Sequence, residues 1–216
     1  MASLLNMSGG SLLHKGYDEN SYIQDGLVFW LDGSQEIVSN SWTDIIGGIV
    51  FTADGFTKGT YGYSIVGNGA KTTSDLSFPY DTSTLEIVCV SHPRDSGKQV
   101  FYCGKQNMIS FQFYQGTVIT QTPRGEKYPY TTDSKMHSFS NSKNGFYIDS
   151  SPITSTGTDG ISLNGTGTSI GAKYRGTEVY RLEIACIRIY NRVLSQSEVL
   201  FNVKIDNERF NLGLTI

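Results

Sequence analysis

The last quarter of the chain contains the feature that most limits its fold. A long strand-like run over residues 179–190 leads through Asn191-Arg192 into one short helix, and the chain ends soon afterwards. Ser195 and Glu198 have the S-x-x-E spacing of a capping box, in which each side chain binds a backbone N–H at the helix start. The residues before this point read as strands and turns. One terminal helix after many strands predicts an all-β domain.

The composition agrees with many short strands joined by turns. The 216 residues include 24 Gly, 13 Tyr and 11 Phe, whereas proline is scarce, with 5 residues. Aromatic residues favour strands, and glycine favours turns. A chain of this length is long enough for one β-sandwich with a substantial core. The formal net charge is −3 and Lys and Arg do not cluster, so we expect no nucleic-acid partner. Apolar runs are too short for a spanning helix, so we expect no membrane partner.

Two patterns place strands within the sheets. Residues 84–92, with the sequence TLEIVCVSH, are apolar on both faces and predict a central strand. The stretch SFSNSKNGFYID predicts a hairpin, because Asn144-Gly145 suits the positive φ angles of a type I′ turn.

Alternation predicts which side chains of the last strand lie together. Successive side chains of a strand point to opposite sides, so one face should hold Tyr180, Leu182, Ile184 and Cys186 and the other Arg181 and Glu183. Trp30 and Trp42 lie in apolar, strand-like runs and are expected in the core. Two sheets of about six strands each would account for this pattern.

Residues 1–24 differ from the rest of the chain and cannot form a core alone. Their apolar pairs are Leu4, Leu5, Leu12 and Leu13. The segment is either a disordered leader or an N-terminal arm for attachment or oligomerisation that orders on a partner. The folded domain would then comprise residues 25–216.

The cysteines indicate the compartment of synthesis. Cys89, Cys103 and Cys186 are odd in number and lack C-x-x-C spacing, and the chain starts without the pattern of a secretory signal. These features favour reduced, buried thiols made in a cytoplasm. A Cys89–Cys103 disulfide would need an oxidising compartment.

Four segments, taken together, point to one family. They are the opening IQDGLVFWLDGSQ at residues 23–35, SIVGNG at residues 64–69, the hairpin NGFYIDSSPI, and the closing IACIRIYNRVLSQSEV. They resemble laminin-G-like, concanavalin A-like domains over about residues 24–210, and the closing segment is the most specific. Asp149-Ser150 departs from the family's usual Asp-Gly. The resemblance implies an antiparallel two-sheet jelly-roll β-sandwich with one short C-terminal helix.

The opening segment is also similar to domains in virion proteins of tailed phages of gut bacteria. This resemblance implies a non-enzymatic virion surface protein, such as a head fibre, capsid decoration or tail-associated protein, anchored by its arm. Its partners would be itself, as a homo-oligomer, other virion proteins, and host or mucosal glycans. Synthesis in the host cytoplasm and display on the virion surface would explain a typically extracellular fold without an export signal. A soluble lectin-like carbohydrate-binding module is the alternative, and a glycan-cleaving enzyme is less favoured.

No catalytic motif appears in the sequence. Glycoside hydrolases of this fold class carry E-x-D-x-E on one strand, which places carboxylates on both sides of the scissile bond. The nearest pair, Glu178 and Glu183, is five residues apart and so faces opposite sides of a strand. We therefore predict no catalytic residue and no enzyme.

A sugar site would need exposed aromatic rings beside hydrogen-bonding groups. Tyr128 and Tyr130 flank a proline in a charged stretch that suggests exposure, and Tyr80 is similar in kind. These three are the candidate carbohydrate-binding residues. Alternatively, their rings cover sheet edges or pack against a neighbouring subunit.

Calcium is the one cofactor that the loops suggest, and only weakly. Asp32, Asp44 and Asp159 are the candidates, but no D-x-D-x-D cluster supplies the several oxygen ligands that calcium prefers. Aspartate near glycine more often forms turns. We expect no cofactor.

Overall fold

The computed structural model describes ten segments of the chain, which are residues 21–52, 55–65, 69–74, 76–90, 98–103, 107–114, 117–120, 125–158, 168–171 and 182–216. The predicted arm residues Leu4, Leu5, Leu12 and Leu13 lie outside the described residues, as does the calcium candidate Asp159.

The described residues form seventeen strands and one helix. They are, in chain order, β1 (Leu27–Asp32), β2 (Ser41–Thr43), β3 (Val50–Thr52), β4 (Phe56–Lys58), β5 (Tyr63–Ile65), β6 (Ala70–Thr72), β7 (Thr84–Val90), β8 (Lys98–Cys103), β9 (Phe111–Tyr114), β10 (Thr117–Thr120), β11 (Glu126–Pro129), β12 (Met136–Ser142), β13 (Gly145–Ile148), β14 (Ser151–Ile153), β15 (Gly157–Thr158), β16 (Thr168–Ile170), β17 (Glu183–Tyr190) and α1 (Gln196–Phe210).

Two antiparallel sheets pack against each other, so the predicted β-sandwich is confirmed. The first sheet has the strand order β14-β13-β12-β7-β17-β5-β4, and β1 also pairs with β17. The second has the order β15-β11-β10-β9-β8-β16-β6-β3-β2. The sheets therefore hold eight and nine strands rather than about six each, because several strands of two or three residues extend their edges.

Aromatic rings fill the space between the sheets. The Phe29 ring lies 5.9 Å from the rings of both Phe51 and Phe78, and Phe111 lies 5.1 Å from Phe139 across the core. The two Phe29 contacts are edge-to-face and the Phe111–Phe139 contact is tilted. They join strands that are far apart in the sequence. Strand β7 is buried at every position and lies between β12 and β17, as its two-sided apolar pattern predicted.

The helix packs on the outer face of the first sheet, where a buried charge network centred on Arg188 holds it. The Arg188 guanidinium in β17 donates to Asp206 in α1 at 2.8 and 2.6 Å, and to Glu86 in β7 at 3.0 Å. These three side chains are at most 1% exposed. The Asn202 amide also donates to Glu86, and the Tyr22 hydroxyl donates to Asp206. The network joins two strands, the helix and the first described residues.

A bulge in β17 makes room for this network. The pairing of β17 with β7 shifts register between Ile184 and Cys186. Ile184 therefore faces the core between the sheets, whereas Cys186 faces the helix side. The prediction that Cys186 shares a face with Leu182 and Ile184 is wrong, because the extra residue of a bulge reverses the alternation. Tyr180, predicted on the same face, lies outside the described residues.

Gly62 fits against this bulge. A Cβ atom at position 62 would overlap the carbonyl oxygen of Ile184. Only glycine allows the backbone to approach so closely.

The predicted hairpin is confirmed, but its turn differs. Strands β12 and β13 pair with Ser142 opposite Gly145, so Lys143 and Asn144 form the two-residue turn. Gly145 has a φ of 146°, and neither Lys143 nor Asn144 has a positive φ. The turn is therefore not the type I′ turn that was predicted.

Several smaller predictions can also be compared with the structure. Trp30 and Trp42 are each 1% exposed and lie in the core, as expected. Cys89, Cys103 and Cys186 are free, buried thiols. In the described part of the chain, no helix combines the length and apolar character needed to cross a membrane.

The network predicts a large cost for removing one charge. Asp206→Ala should lower the free energy of unfolding by about 3–5 kcal/mol, because the Arg188 charge would lose its bidentate partner in a buried site. Lys204→Ala changes an exposed residue of the same helix and should cost less than about 0.5 kcal/mol. Urea denaturation measures both values. A cost below about 1 kcal/mol for Asp206→Ala would contradict the assigned role.

Glu86 makes stability depend on pH. Burial raises the pKa of Glu86 to about 7, although Arg188 opposes this shift. An unfolded glutamate titrates near about 4.3, so the Glu86 contribution is fully present below that pH and is lost as pH rises to about 7. Glu86→Gln removes this titration. Urea denaturation across this range should show the variant gaining stability relative to the parent as pH rises. A constant difference would contradict the prediction.

Candidate functional site

A groove of about 350 Å³ lies between the turn after β13 and the first turns of α1. Ser150 from the turn and Gln196, Ser197 and Leu200 from the helix line it. Two hydroxyl groups and one amide therefore lie beside one aliphatic side chain. This combination of hydrogen-bonding groups and apolar surface is what a carbohydrate requires of its site.

The helix wall of the groove is fixed by its cap. The Ser195 side chain accepts from the Glu198 N–H, and the Glu198 carboxylate accepts from the Ser195 N–H at 2.8 Å, which confirms the predicted capping box. Glu198 also accepts from both terminal nitrogens of Arg192, at 2.6 and 3.1 Å. The Arg192 bonds lower the pKa of Glu198 to about 2. The carboxylate therefore stays ionised in the cap, and Gln196 and Ser197 begin a rigid first turn.

An exposed aromatic ring stands beside the groove on the same helix. Phe201 is 47% exposed, follows the groove residue Leu200, and lies one helical turn after Ser197. The buried face of α1 instead carries Val199, Val203 and Asp206. Phe201 is thus an aromatic side chain that the core does not use.

The opposite wall is a turn with a strained backbone. Asp149 and Ser150 have φ angles of 51° and 68°, in the left-handed region that glycine tolerates best. The Asp149 N–H donates to the Ser138 carbonyl at 2.8 Å, and the Asp149 carboxylate accepts from the Ser138 N–H at 2.9 Å. These reciprocal bonds hold the turn against β12. The family that this chain resembles usually has Asp-Gly at this turn. Because this chain has Ser150 in place of that glycine, the turn supplies a hydroxyl group to the groove.

His137 completes the anchor of this turn. Its Nδ1 lies 2.5 Å from an Asp149 oxygen, and its Nε2 lies 3.1 Å from an Asp133 oxygen. Burial opposes the charged imidazole, but the bonds to the two carboxylates outweigh it and raise the pKa of His137. The pKa of Asp133 is lowered although burial opposes its charged form, because the Lys135 N–H and His137 bond to it. The trio is a half-buried ion cluster that stabilises the groove wall.

The three predicted sugar-binding tyrosines lie elsewhere and are not exposed. Tyr128 is 3% exposed, and Tyr80 and Tyr130 are 8% exposed. Tyr128 stacks on Phe146 at 4.6 Å, and Tyr130 packs on Phe139 at 5.3 Å. The predicted exposure is wrong because Tyr128 lies in β11, whose inward positions face the core. The three rings belong to the core of the sandwich, so the alternative of sheet edges or a neighbouring subunit does not describe them either.

Tyr80 and Tyr128 do come together around Glu126. The Tyr128 hydroxyl donates to the Glu126 carboxylate, and the Tyr80 hydroxyl donates to the Ser142 carbonyl at 3.0 Å. Burial, with the charge of Glu126, raises the pKa of both tyrosines. Both therefore stay protonated donors near neutral pH.

Two of the weak calcium candidates have structural partners. Both oxygens of Asp32 accept from Arg209, at 2.6 and 2.5 Å, which fixes the end of α1. Asp44 accepts from the backbone N–H groups of Trp30 and Gly47, at 2.6 and 2.7 Å. Both carboxylates are almost fully buried, and N–H donors occupy them, so turn and ion-pair roles explain these residues. Among the described residues, no group of three or more His, Cys, Asp or Glu side chains could hold a metal.

Sequence reasoning missed the groove for an identifiable reason. The capping box predicts where α1 starts but does not predict which surface the helix contributes to a groove. The apolar pair Leu200-Phe201 lies outside the helix face that contains Val199 and Val203. A helical-wheel comparison would have shown this pair as unused by the core.

Comparisons with known proteins identify the fold but no family. No family model and no curated protein matches this sequence. Solved structures do match, among them a Trypanosoma rangeli sialidase bound to 2,3-difluoro-KDN, at 14% identity and a TM-score of 0.64. The match covers 93% of this chain and 36% of the sialidase chain. The same enzyme as a covalent intermediate with 2,3-difluorosialic acid matches at 16% identity and a TM-score of 0.60, over 82% and 33% of the two chains.

Toxin domains share the fold as well. The binding domain of Paraclostridial Mosquitocidal Protein 1 matches at 14% identity and a TM-score of 0.56, over 84% of this chain and 52% of that chain. A structure of botulinum neurotoxin type C, whose cell entry depends on interaction with two ganglioside molecules, matches at 10% identity and a TM-score of 0.56, over 83% and 51%. This chain thus spans about a third of the sialidases and half of these toxin chains. The identities show a shared jelly-roll-like β-sandwich.

The comparisons correct one prediction. We predicted that the chain is not an enzyme, because the E-x-D-x-E motif is missing. The matching sialidases are enzymes, so the absence of one strand motif does not exclude catalysis. The same fold occurs in binding domains, and the fold therefore does not decide between the two.

The ion cluster predicts a shift in the titration of His137. Asp149→Asn should lower the pKa of His137, because the nearer carboxylate loses its charge. Asp133→Asn should lower it less, since Asp133 lies farther away and its side chain is 38% exposed. The contribution of His137 to folding stability is fully present below a pH of about 6.5, the pKa of an unfolded histidine. It is lost as the pH rises through the raised pKa of His137 in the folded chain.

NMR titration of the imidazole Cε1–H resonance measures these pKa values, and loss of the resonance in His137→Gln assigns it. An unchanged pKa in Asp149→Asn would show that the cluster does not control the charge of His137.

Proposed function

We propose that this chain binds carbohydrate through the groove between the β13 turn and α1. The observation that carries the proposal is the lining of the groove, in which Ser150, Gln196 and Ser197 lie beside Leu200. The first three side chains can donate to and accept from sugar hydroxyls. Leu200 and the exposed Phe201 offer apolar surface to the C–H face of a sugar ring.

The matching structures support this class of ligand without defining it. Botulinum neurotoxin type C interacts with gangliosides, and the sialidase structures contain sugar acids and their analogues. The shared fold makes a lectin-like module a reasonable interpretation of this chain. The groove residues, rather than the fold, carry the ligand assignment.

Display on a phage particle is the more specific form of this proposal. It rests on the resemblance of residues 23–35 to virion proteins of tailed phages. In this form, residues 1–24 attach the protein to other virion proteins, through Leu4, Leu5, Leu12 and Leu13, and the sandwich presents its groove to host or mucosal glycans. Such a protein would be made in the host cytoplasm and located on the virion surface. A soluble glycan-binding module remains the alternative.

Binding measurements on the purified full chain test the proposal. A glycan array should give at least one ligand, whose Kd is then measured by calorimetry. Gln196→Ala should weaken binding roughly twofold to tenfold, since it removes a hydrogen-bonding amide. Phe201→Ala should weaken it by a similar factor through lost apolar contact. Lys71→Ala changes an exposed residue of β6 in the second sheet, away from the groove, and is the control that should leave the Kd unchanged.

Each negative outcome has a distinct meaning. Binding that neither groove variant weakens would place the site elsewhere on the chain. Failure to bind any glycan would reject the proposed function. Incubating the bound glycan with the parent chain and analysing it for cleavage products separates binding from turnover.

A further inference from the structure

The wall of the groove that carries Ser150 is a strained turn at the edge of the first sheet. Asp149 and Ser150 connect β13 to β14, because Ile148 pairs with Ser151. Their φ angles of 51° and 68° follow the pattern of a type I′ turn, whose second position favours glycine. Strand β14 ends its sheet. The turn therefore depends on the bonds that reach it from β12.

Asp149 makes those bonds through its backbone and its carboxylate. Its N–H donates to the Ser138 carbonyl at 2.8 Å, and one carboxylate oxygen accepts from the Ser138 N–H at 2.9 Å. The other oxygen lies 2.5 Å from Nδ1 of His137. The Ser138 groups belong to the backbone and do not titrate. The imidazole is the partner in these contacts whose charge changes near neutral pH.

The contacts of His137 require the charged form of its ring. Nδ1 faces the Asp149 carboxylate and Nε2 lies 3.1 Å from an Asp133 oxygen. An ionised carboxylate only accepts hydrogen bonds, and a neutral imidazole has one N–H to donate. Only the imidazolium can therefore donate to both carboxylates. After deprotonation, one ring nitrogen would turn a lone pair toward a carboxylate oxygen.

The other groups that face the ring come from four elements. In the described part of the chain they are Asp133 and Lys135 before β12, Asp149 after β13, Tyr130 after β11, and Cys89 opposite His137 on β7. Burial opposes the charged ring, but the bonds to the two carboxylates outweigh it and raise the pKa of His137. The charged ring thus persists to a higher pH than in an unfolded chain.

We propose that His137 is a positioning residue of the carbohydrate groove, and that its imidazolium form holds Ser150 in place for the ligand. This inference rests on the proposed carbohydrate function. When His137 loses its proton, the turn loses a hydrogen bond between two charged groups, and such bonds are stronger than neutral ones. The Ser150 hydroxyl is then held less firmly at the groove. The glycan therefore binds more tightly at acidic pH than at alkaline pH.

A second titrating group acts on the other side of the groove and has to be separated from His137. Burial raises the pKa of Glu86 to about 7, and Glu86 bonds to the Arg188 guanidinium that holds α1. Its titration could therefore change the helix wall over the same pH range. His137→Gln leaves Glu86 in place, and Glu86→Gln leaves His137 in place. The two variants together assign any pH dependence to one wall.

Calorimetry on the full chain tests the coupling with the glycan found on the array. The Kd of the parent should rise roughly twofold to fivefold between about pH 5.5 and about pH 9, because one hydrogen bond to a charged group is weakened. His137→Gln should bind as weakly at all pH values as the parent does at alkaline pH. Glu86→Gln is the matched control and should keep the pH dependence. Thermal unfolding should show that each variant folds.

Ser150→Gly tests whether the coupling passes through the turn. Glycine adopts the φ of position 150 without strain, and the variant has no hydroxyl for His137 to position. Its Kd should therefore be weaker than that of the parent at acidic pH and should change little with pH. A pH dependence in Ser150→Gly equal to that of the parent would contradict the proposed route.

NMR tests the turn without a glycan. Hydrogen exchange of the Asp149 amide, corrected for the intrinsic effect of pH, should become faster with the same midpoint as the His137 Cε1–H titration. His137→Gln should show fast exchange at every pH. This measurement uses the bond from Asp149 to the Ser138 carbonyl as its reporter, so it reads the hold on the turn and not the charge alone.

The two measurements separate this inference from the proposed function. Glycan binding that depends on Gln196 and Phe201, but has a constant Kd across the pH range, would reject the coupling and keep the function. A pH dependence that survives in His137→Gln would assign it to Glu86 and also reject the coupling. If no glycan binds, the function is rejected, and constant protection of the Asp149 amide would show that His137 does not control the turn.

Discussion

The buried guanidinium of Arg188 is the interaction on which the outer layer of the structure depends. It lies between Asp206 of the helix and Glu86 of the central strand β7, and all three side chains are almost fully buried. Two carboxylates and one guanidinium in such a site are tolerable only when the pairing geometry is good. The network therefore fixes where α1 lies on the sheet. The groove follows from that position, because α1 supplies three of the four described side chains that line it.

Much of the fold was predictable from local patterns. Each of these patterns depends on residues close together in the sequence. They are the two-sided apolar run of β7, the capping box of α1 and the alternation within strands. The bulge between Ile184 and Cys186 was not predictable in this way. It depends on the packing of α1 on the sheet, which involves residues that are distant in the sequence. Arg188 must face the helix while Ile187 and Ile189 face the core. The turn at Lys143-Asn144 shows the same limit, since strand register decided which residues form it.

The candidate site was less predictable than the fold. Tyr128 and Tyr130 stand near proline and charged residues, which usually indicate exposure, yet the structure uses their rings to close the core. Composition within a short stretch cannot show which face of a strand points inward. The groove combines a turn and a helix about fifty residues apart in sequence. No local pattern could join Ser150 to Gln196, although Leu200-Phe201 was visible as an unused apolar pair.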